Sequence, residues 1–81
     1  MKVHVRLFAA AREVVGQQEV VLEIAAGADV AALKAQIASA FPPLAPLVAR
    51  SLLAVNSEYA MNADRVNEGD EIALIPPVSG G

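Results

Sequence analysis

Between Asp29 and the diproline Pro42-Pro43 lies one run whose apolar residues, Val30, Leu33, Ile37 and Phe41, recur at three- and four-residue spacing. That spacing puts all four on one helical face. Asp29 stands where its carboxylate can accept from free backbone N–H groups of the first turn, and the two prolines stop the helix. On either side the apolar residues alternate at period two or fall in short segments, so the chain has one main helix, and its stripe must be buried against a sheet.

The strands can be read around this helix. Val3, Val5 and Leu7 share one face of a first strand, and His4, Arg6 and Phe8 share the other. Phe8 is the odd member, a large aromatic on the polar face. Residues Ala9 to Val15 read as a turn or short helical segment closing at Gly16. Gln18 to Ile24 reads as a second strand, joined to the first as an antiparallel hairpin. After the helix, Leu44 to Arg50, with Pro46 inside it, reads as an irregular or single-turn piece. Ser51 to Asn56 is a third strand, with Leu53 and Val55 on one face and Leu52 and Ala54 on the other. Asn56-Ser57-Glu58 is a turn, Tyr59-Ala60 a very short strand, and Glu68-Gly69-Asp70 a turn into a last strand, Glu71 to Ile75. This order predicts an α+β fold, a β-grasp, with a mixed sheet of about four to five strands and the main helix on one face. The same periodicity is compatible with half of a ferredoxin-like fold or a small α+β sandwich.

The last six residues, Pro76-Pro77-Val78-Ser79-Gly80-Gly81, depart from this pattern. Two prolines fix φ and remove two backbone donors, so the strand ending at Ile75 cannot extend its ladder normally through them. Val78, Ser79 and two glycines without Cβ follow, a combination that can lie extended in a channel too narrow for larger side chains. Residues 1–75 are therefore expected to form the folded domain. Residues 76–81 are expected to form a flexible tether reaching about 20 Å at full extension, with a carboxylate at its tip.

Composition narrows the chemistry. With 81 residues the chain has room for one modest core, and with no cysteine it lacks disulfides, thiolate metal sites and thiol nucleophiles. One histidine, His4, cannot make a His cluster. Although 56% of residues are hydrophobic, no apolar run approaches the ~20 needed to span a bilayer, so no membrane partner is expected. The alternating start Met1-Lys2-Val3-His4-Val5-Arg6 lacks a signal-type apolar region and points to the cytosol. A formal charge of −3, from six scattered bases and nine acids, argues against nucleic-acid binding. Ser39, Ser51, Ser57, Ser79 and Tyr59 have only His4 as a possible imidazole base, and no spacing signals a hydrolytic triad. Gly16, Gly27 and Gly69 are isolated turn residues rather than a phosphate loop. Glu68, Asp70 and Glu71 flank a turn with too few oxygen ligands for calcium.

Three segments carry a family resemblance. They are Leu7-Phe8-Ala9-Ala10-Ala11-Arg12-Glu13 with Gly16, then Ala54-Val55-Asn56, and above all Glu68-Gly69-Asp70-Glu71-Ile72-Ala73-Leu74-Ile75 running into Pro-Pro-Val-Ser-Gly-Gly. Together they resemble the small, sulfur-carrier subunit of molybdopterin synthase, within the ubiquitin-like β-grasp proteins, across essentially the whole chain.

The resemblance implies that Gly81 carries the reacting group. An ATP-dependent, E1-like enzyme would adenylate it, and sulfur from a persulfide donor would replace AMP to give a thiocarboxylate. The tail, Pro77, Val78, Ser79 and Gly80, would enter the large synthase subunit, where sulfur passes to cyclic pyranopterin monophosphate. Two small subunits would serve each product in a heterotetramer. The small subunit would be inert alone and bind no cofactor of its own, the catalytic side chains lying on the large subunit and ATP being used by the activating partner. Phe8 and Ile75, on the outward face by strand alternation, and Tyr59, from the short segment before the last strand, would contact the partner, with Arg12 as a further contact. The same tail would also suit a carrier for thiamine or tRNA thiolation, or a ubiquitin-like modifier forming isopeptides through Gly81. A plain interaction domain is the remaining class.

Overall fold

The computed structural model describes residues 1–77. Its elements follow the sequence in order: β1 (Lys2–Leu7), α1 (Ala9–Val15), β2 (Glu19–Glu23), α2 (Val30–Ala40), a 3-10 turn (Pro42–Leu44), α3 (Ala45–Arg50), β3 (Leu52–Val55), β4 (Glu58–Ala60) and β5 (Glu71–Ile75). The five strands form one mixed sheet in the order β2-β1-β5-β3-β4. β1 pairs antiparallel with β2 and parallel with β5, while β3 runs antiparallel to both β5 and β4. The first and last strands are thus central neighbours, as in a β-grasp.

One face of this sheet is the core. Val3, Val5 and Leu7 of β1, Val20 and Leu22 of β2, Leu53 of β3, and Ile72 and Leu74 of β5 are buried together with Val30, Leu33 and Ile37 of α2. Each fully buried aliphatic side chain contributes about 1.5–3 kcal/mol relative to exposure. The helix begins as the sequence predicts, with the Ala32 N–H donating to Oδ1 of Asp29 at 2.9 Å. Residues 61–66 strap its first turn: the N–H groups of Val30 and Ala31 donate to the carbonyls of Asp64 and Asn62.

Several boundaries differ from the sequence reading. The segment expected to be irregular between Leu44 and Arg50 is helical from Ala45 to Arg50. Pro46 falls in the first turn of α3, where its missing N–H has no intrahelical partner to lose. The third strand starts at Leu52 rather than Ser51, because Ser51 closes α3 with its N–H donating to the Val48 carbonyl and its hydroxyl to the Leu47 carbonyl. It ends at Val55, since Asn56 turns to a φ of +52°. The second strand spans Glu19–Glu23, one residue shorter at each end than expected.

Candidate functional site

The opposite face of the sheet has no helix over it, and side-chain alternation along the strands decides what it presents. Arg6 on β1 is register-paired with Ala73 on β5, Ala73 with Ala54 on β3, and Ala54 with Tyr59 on β4. Side chains in one cross-strand row share a face. The next row contains Ile75 opposite Leu52. Phe8 joins it because its backbone stays extended one residue beyond the pairing of Leu7 with Leu74. Met61, one residue past β4, lies next to Leu52 at the other end.

The result is a contiguous apolar surface. Phe8 is 41% exposed, Leu52 53%, Tyr59 70% and Met61 77%. Ile75 is half-buried among them, and the small side chains of Ala54 and Ala73 sit between. Large side chains this exposed, and grouped rather than scattered, mark an interaction surface.

Local geometry sets the two ends of this surface. The chain leaves the sheet at Ala9, whose φ of +50° costs an alanine about 1 kcal/mol. This reversal turns the backbone away into α1 and leaves the Phe8 ring standing on the outer face. At the other end, Asn56 and Ser57 form a two-residue hairpin loop with φ of +52° and +70°, the primed-turn geometry that matches strand twist. The Asn56 side chain ties that loop to the start of β5. Its Nδ2 donates to Oδ1 of Asp70 at 3.0 Å, and its Oδ1 accepts from the Glu71 N–H at 3.0 Å. Asp70 in turn accepts from the Asn67 N–H at 2.8 Å. Tyr59 on β4 is held in register with Ala54 of β3.

Of the residues expected to contact a partner, Phe8, Tyr59 and Ile75 are brought to one surface. Arg12 is exposed on α1, and no ion pair joins it to Glu13 among the described residues. Pro76 is buried directly after β5 and Pro77 is exposed. Val78, Ser79, Gly80 and Gly81 lie outside the described residues. Two members of the surface were missed, Leu52 and Met61. Alternation had already put Leu52 on the outward face with Ala54, but Met61 follows a three-residue strand too short to show a period.

Beyond this surface the outer face is mostly polar, with Val21 of β2 exposed opposite His4. Nδ1 of His4 donates to Oε1 of Glu19 at 3.1 Å, and Lys2, Gln18, Asp70 and Glu71 surround them in a shallow hollow. The one buried polar side chain among the described residues, Ser51, is satisfied by the Leu47 carbonyl. The geometry is that of a holder, which presents an apolar platform beside the exit of β5.

Comparison with known proteins agrees with this architecture. Residues 5–81 match the ThiS family. The chain belongs to that family. Among its relatives, the molybdopterin synthase sulfur carrier subunit of Chlamydomonas reinhardtii is 41% identical with all of both chains covered. That of Homo sapiens is 32% identical over 99% of this chain and 94% of the human protein. Among solved structures, the ThiS-family fold seen here superposes on small archaeal modifier protein 1 from Haloferax volcanii with a TM-score of 0.86 at 29% identity, covering all of both chains. It also superposes on a chain from the complex of subunits 1 and 2 of the molybdopterin-converting factor of Helicobacter pylori, with a TM-score of 0.69 at 27% identity and full coverage of both.

Proposed function

We propose that this chain is the sulfur carrier of molybdenum cofactor biosynthesis and the small subunit of a molybdopterin synthase. The observation that carries the proposal is similarity over the full chain to sulfur carrier subunits of that enzyme, from an alga to human. The apolar platform beside the end of β5 would be the surface that docks on a large subunit; a large-subunit partner is supported by the likeness to a chain solved in the complex of subunits 1 and 2 of the Helicobacter pylori factor.

The chemistry follows from what the chain lacks. Without cysteine, sulfur can be carried covalently at a carboxyl carbon, and a free carboxylate is a poor electrophile until activated. An E1-like partner would transfer AMP from ATP to the Gly81 carboxylate, releasing pyrophosphate. The terminal sulfur of a persulfide donor would then displace AMP, and thiol cleavage of the resulting acyl disulfide would leave a thiocarboxylate. In the large subunit that sulfur would pass to cyclic pyranopterin monophosphate, twice for each dithiolene. Gly80 would allow close approach in a narrow channel.

Deletion of Gly81, or extension by one residue beyond it, tests the assignment. Either change should abolish sulfur loading by the activating enzyme and leave the thermal unfolding curve unchanged. Normal loading of the deleted chain would refute the role of Gly81. A second reading, a protein modifier joined through Gly81 to lysines, is favoured by the likeness to small archaeal modifier protein 1. It predicts isopeptide-linked conjugates in the native cells.

A further inference from the structure

Among the described residues, the Arg6 charge on the outer face has no ion-pair partner. Arg6 is directly opposite Glu19 across β1 and β2, the arrangement in which opposite charges ordinarily pair. Glu19 instead accepts from His4 at 3.1 Å. Among the described residues the ion pairs are Met1 with Glu23 and His4 with Glu19, and neither takes Arg6. The guanidinium lies over the Phe8 ring, 5.8 Å from its centroid. This cation–π contact sets the side chain beside the apolar platform, where Arg6 also borders the polar hollow that contains His4, Glu19 and Glu71.

There it walls a cleft of about 160 Å³, together with Phe8, Ser57 and Glu71, above a floor that includes Ala54 and Ala73. The volume is below the ~300 Å³ at which pockets for small-molecule ligands begin, and it suits a single inserted side chain. Glu71 is the one carboxylate lining it; it is register-paired with His4, diagonal to Arg6, and makes no ion pair with Arg6 among the described residues. The cleft is continuous with the surface formed by Phe8, Ile75 and Leu52.

We infer that Arg6 is a specificity-determining residue of the docking surface, and that it receives a carboxylate of the synthase large subunit next to an apolar side chain seated in the Ala54–Ala73 cleft. This inference rests on the docking role proposed above. An unpaired guanidinium stacked on an aromatic is already oriented, so less side-chain freedom is lost when its planar fork meets a carboxylate. The apolar neighbours supply most of the binding energy, and Arg6 selects among partners that are equally apolar.

The test is calorimetric titration of the purified large subunit with the parent chain, Arg6→Met, Arg6→Glu and Phe8→Ala. Arg6→Met keeps an apolar stem over Phe8 and removes the charge, and thermal melts establish that each variant is folded. The inference predicts that at ionic strength ~0.01 M, where the Debye length is about 30 Å, Arg6→Met weakens binding about threefold to tenfold. Arg6→Glu should weaken it more than about tenfold, and the difference from parent should shrink at ~0.15 M. Parental affinity of Arg6→Glu beside a weakened Phe8→Ala would overturn the carboxylate contact and leave the docking surface standing. Parental affinity of both Arg6→Glu and Phe8→Ala would overturn the docking surface and this inference together.

Discussion

Ile75 and Leu52 are cross-strand partners on the helix-free face of the sheet, at the point where β5 gives way to Pro76 and Pro77. An apolar pair at the exit of the chain's end would bring docking and tail insertion to the same place. Leu52 is half exposed, so Leu52→Asp should leave stability within about 0.5 kcal/mol of the parent. Binding to the large subunit should fall by about 2 kcal/mol, because a charge is then placed in an apolar contact. Chemical denaturation and calorimetry measure the two effects separately.

Phe8 lies on the same surface, where the proposed docking would make it a second anchor. Phe8→Ala should weaken large-subunit binding by about 2 kcal/mol or more while changing stability less. A variant that unfolds would make Phe8 a core residue, and one that binds normally would make this face idle.

Residues on the other face should behave in the opposite way. Leu33 is fully buried against the sheet, and Leu33→Ala should cost about 3 kcal/mol of stability. Loss of the α2 cap in Asp29→Ala should cost about 1 kcal/mol. Once folded, both variants should bind the large subunit with parental affinity.

The Asn56 loop separates backbone from side-chain contributions. Asn56→Ala loses two hydrogen bonds and leaves an alanine at φ +52°, a combined cost of about 2 kcal/mol. Asn56→Gly restores the backbone preference and should recover about half of it. Equal loss in the two variants would mean that the side-chain bonds alone hold the loop.

The core face was legible because burial imposes a period. The alternation in Val3, Val5 and Leu7 and the helical spacing of Val30, Leu33 and Ile37 each report one buried side, and all six are core residues. Asp29 and Gly16 were legible because caps need particular chemistry, a short acceptor in one case and a left-handed backbone in the other. The segment at Pro46 was not, since proline breaks a helix interior but suits its first turn, and sequence alone did not say where α3 began. The apolar surface was half legible. Phe8 stands out as an aromatic on a polar face, whereas Met61 joins the surface only through the register of β4. The placing of Arg6 over Phe8 was illegible, because register alone sets Arg6 opposite Glu19, which accepts from His4 instead.

The tether makes its own prediction. Gly80→Val should leave folding unchanged and slow sulfur transfer in the large subunit, since a β-branched residue widens what must pass through the channel. Unimpaired single-turnover transfer would mean that the channel is wider than a glycine requires.

The central claim, that Gly81 carries sulfur, is tested most directly by mass spectrometry of the C-terminal peptide of the protein purified from its native cells. The account predicts a fraction heavier than the unmodified peptide by the difference between one sulfur and one oxygen, which alkylating reagents trap and deletion of the activating enzyme removes. A terminal peptide found solely as free carboxylate, or solely as an isopeptide on lysines of other proteins, would contradict it.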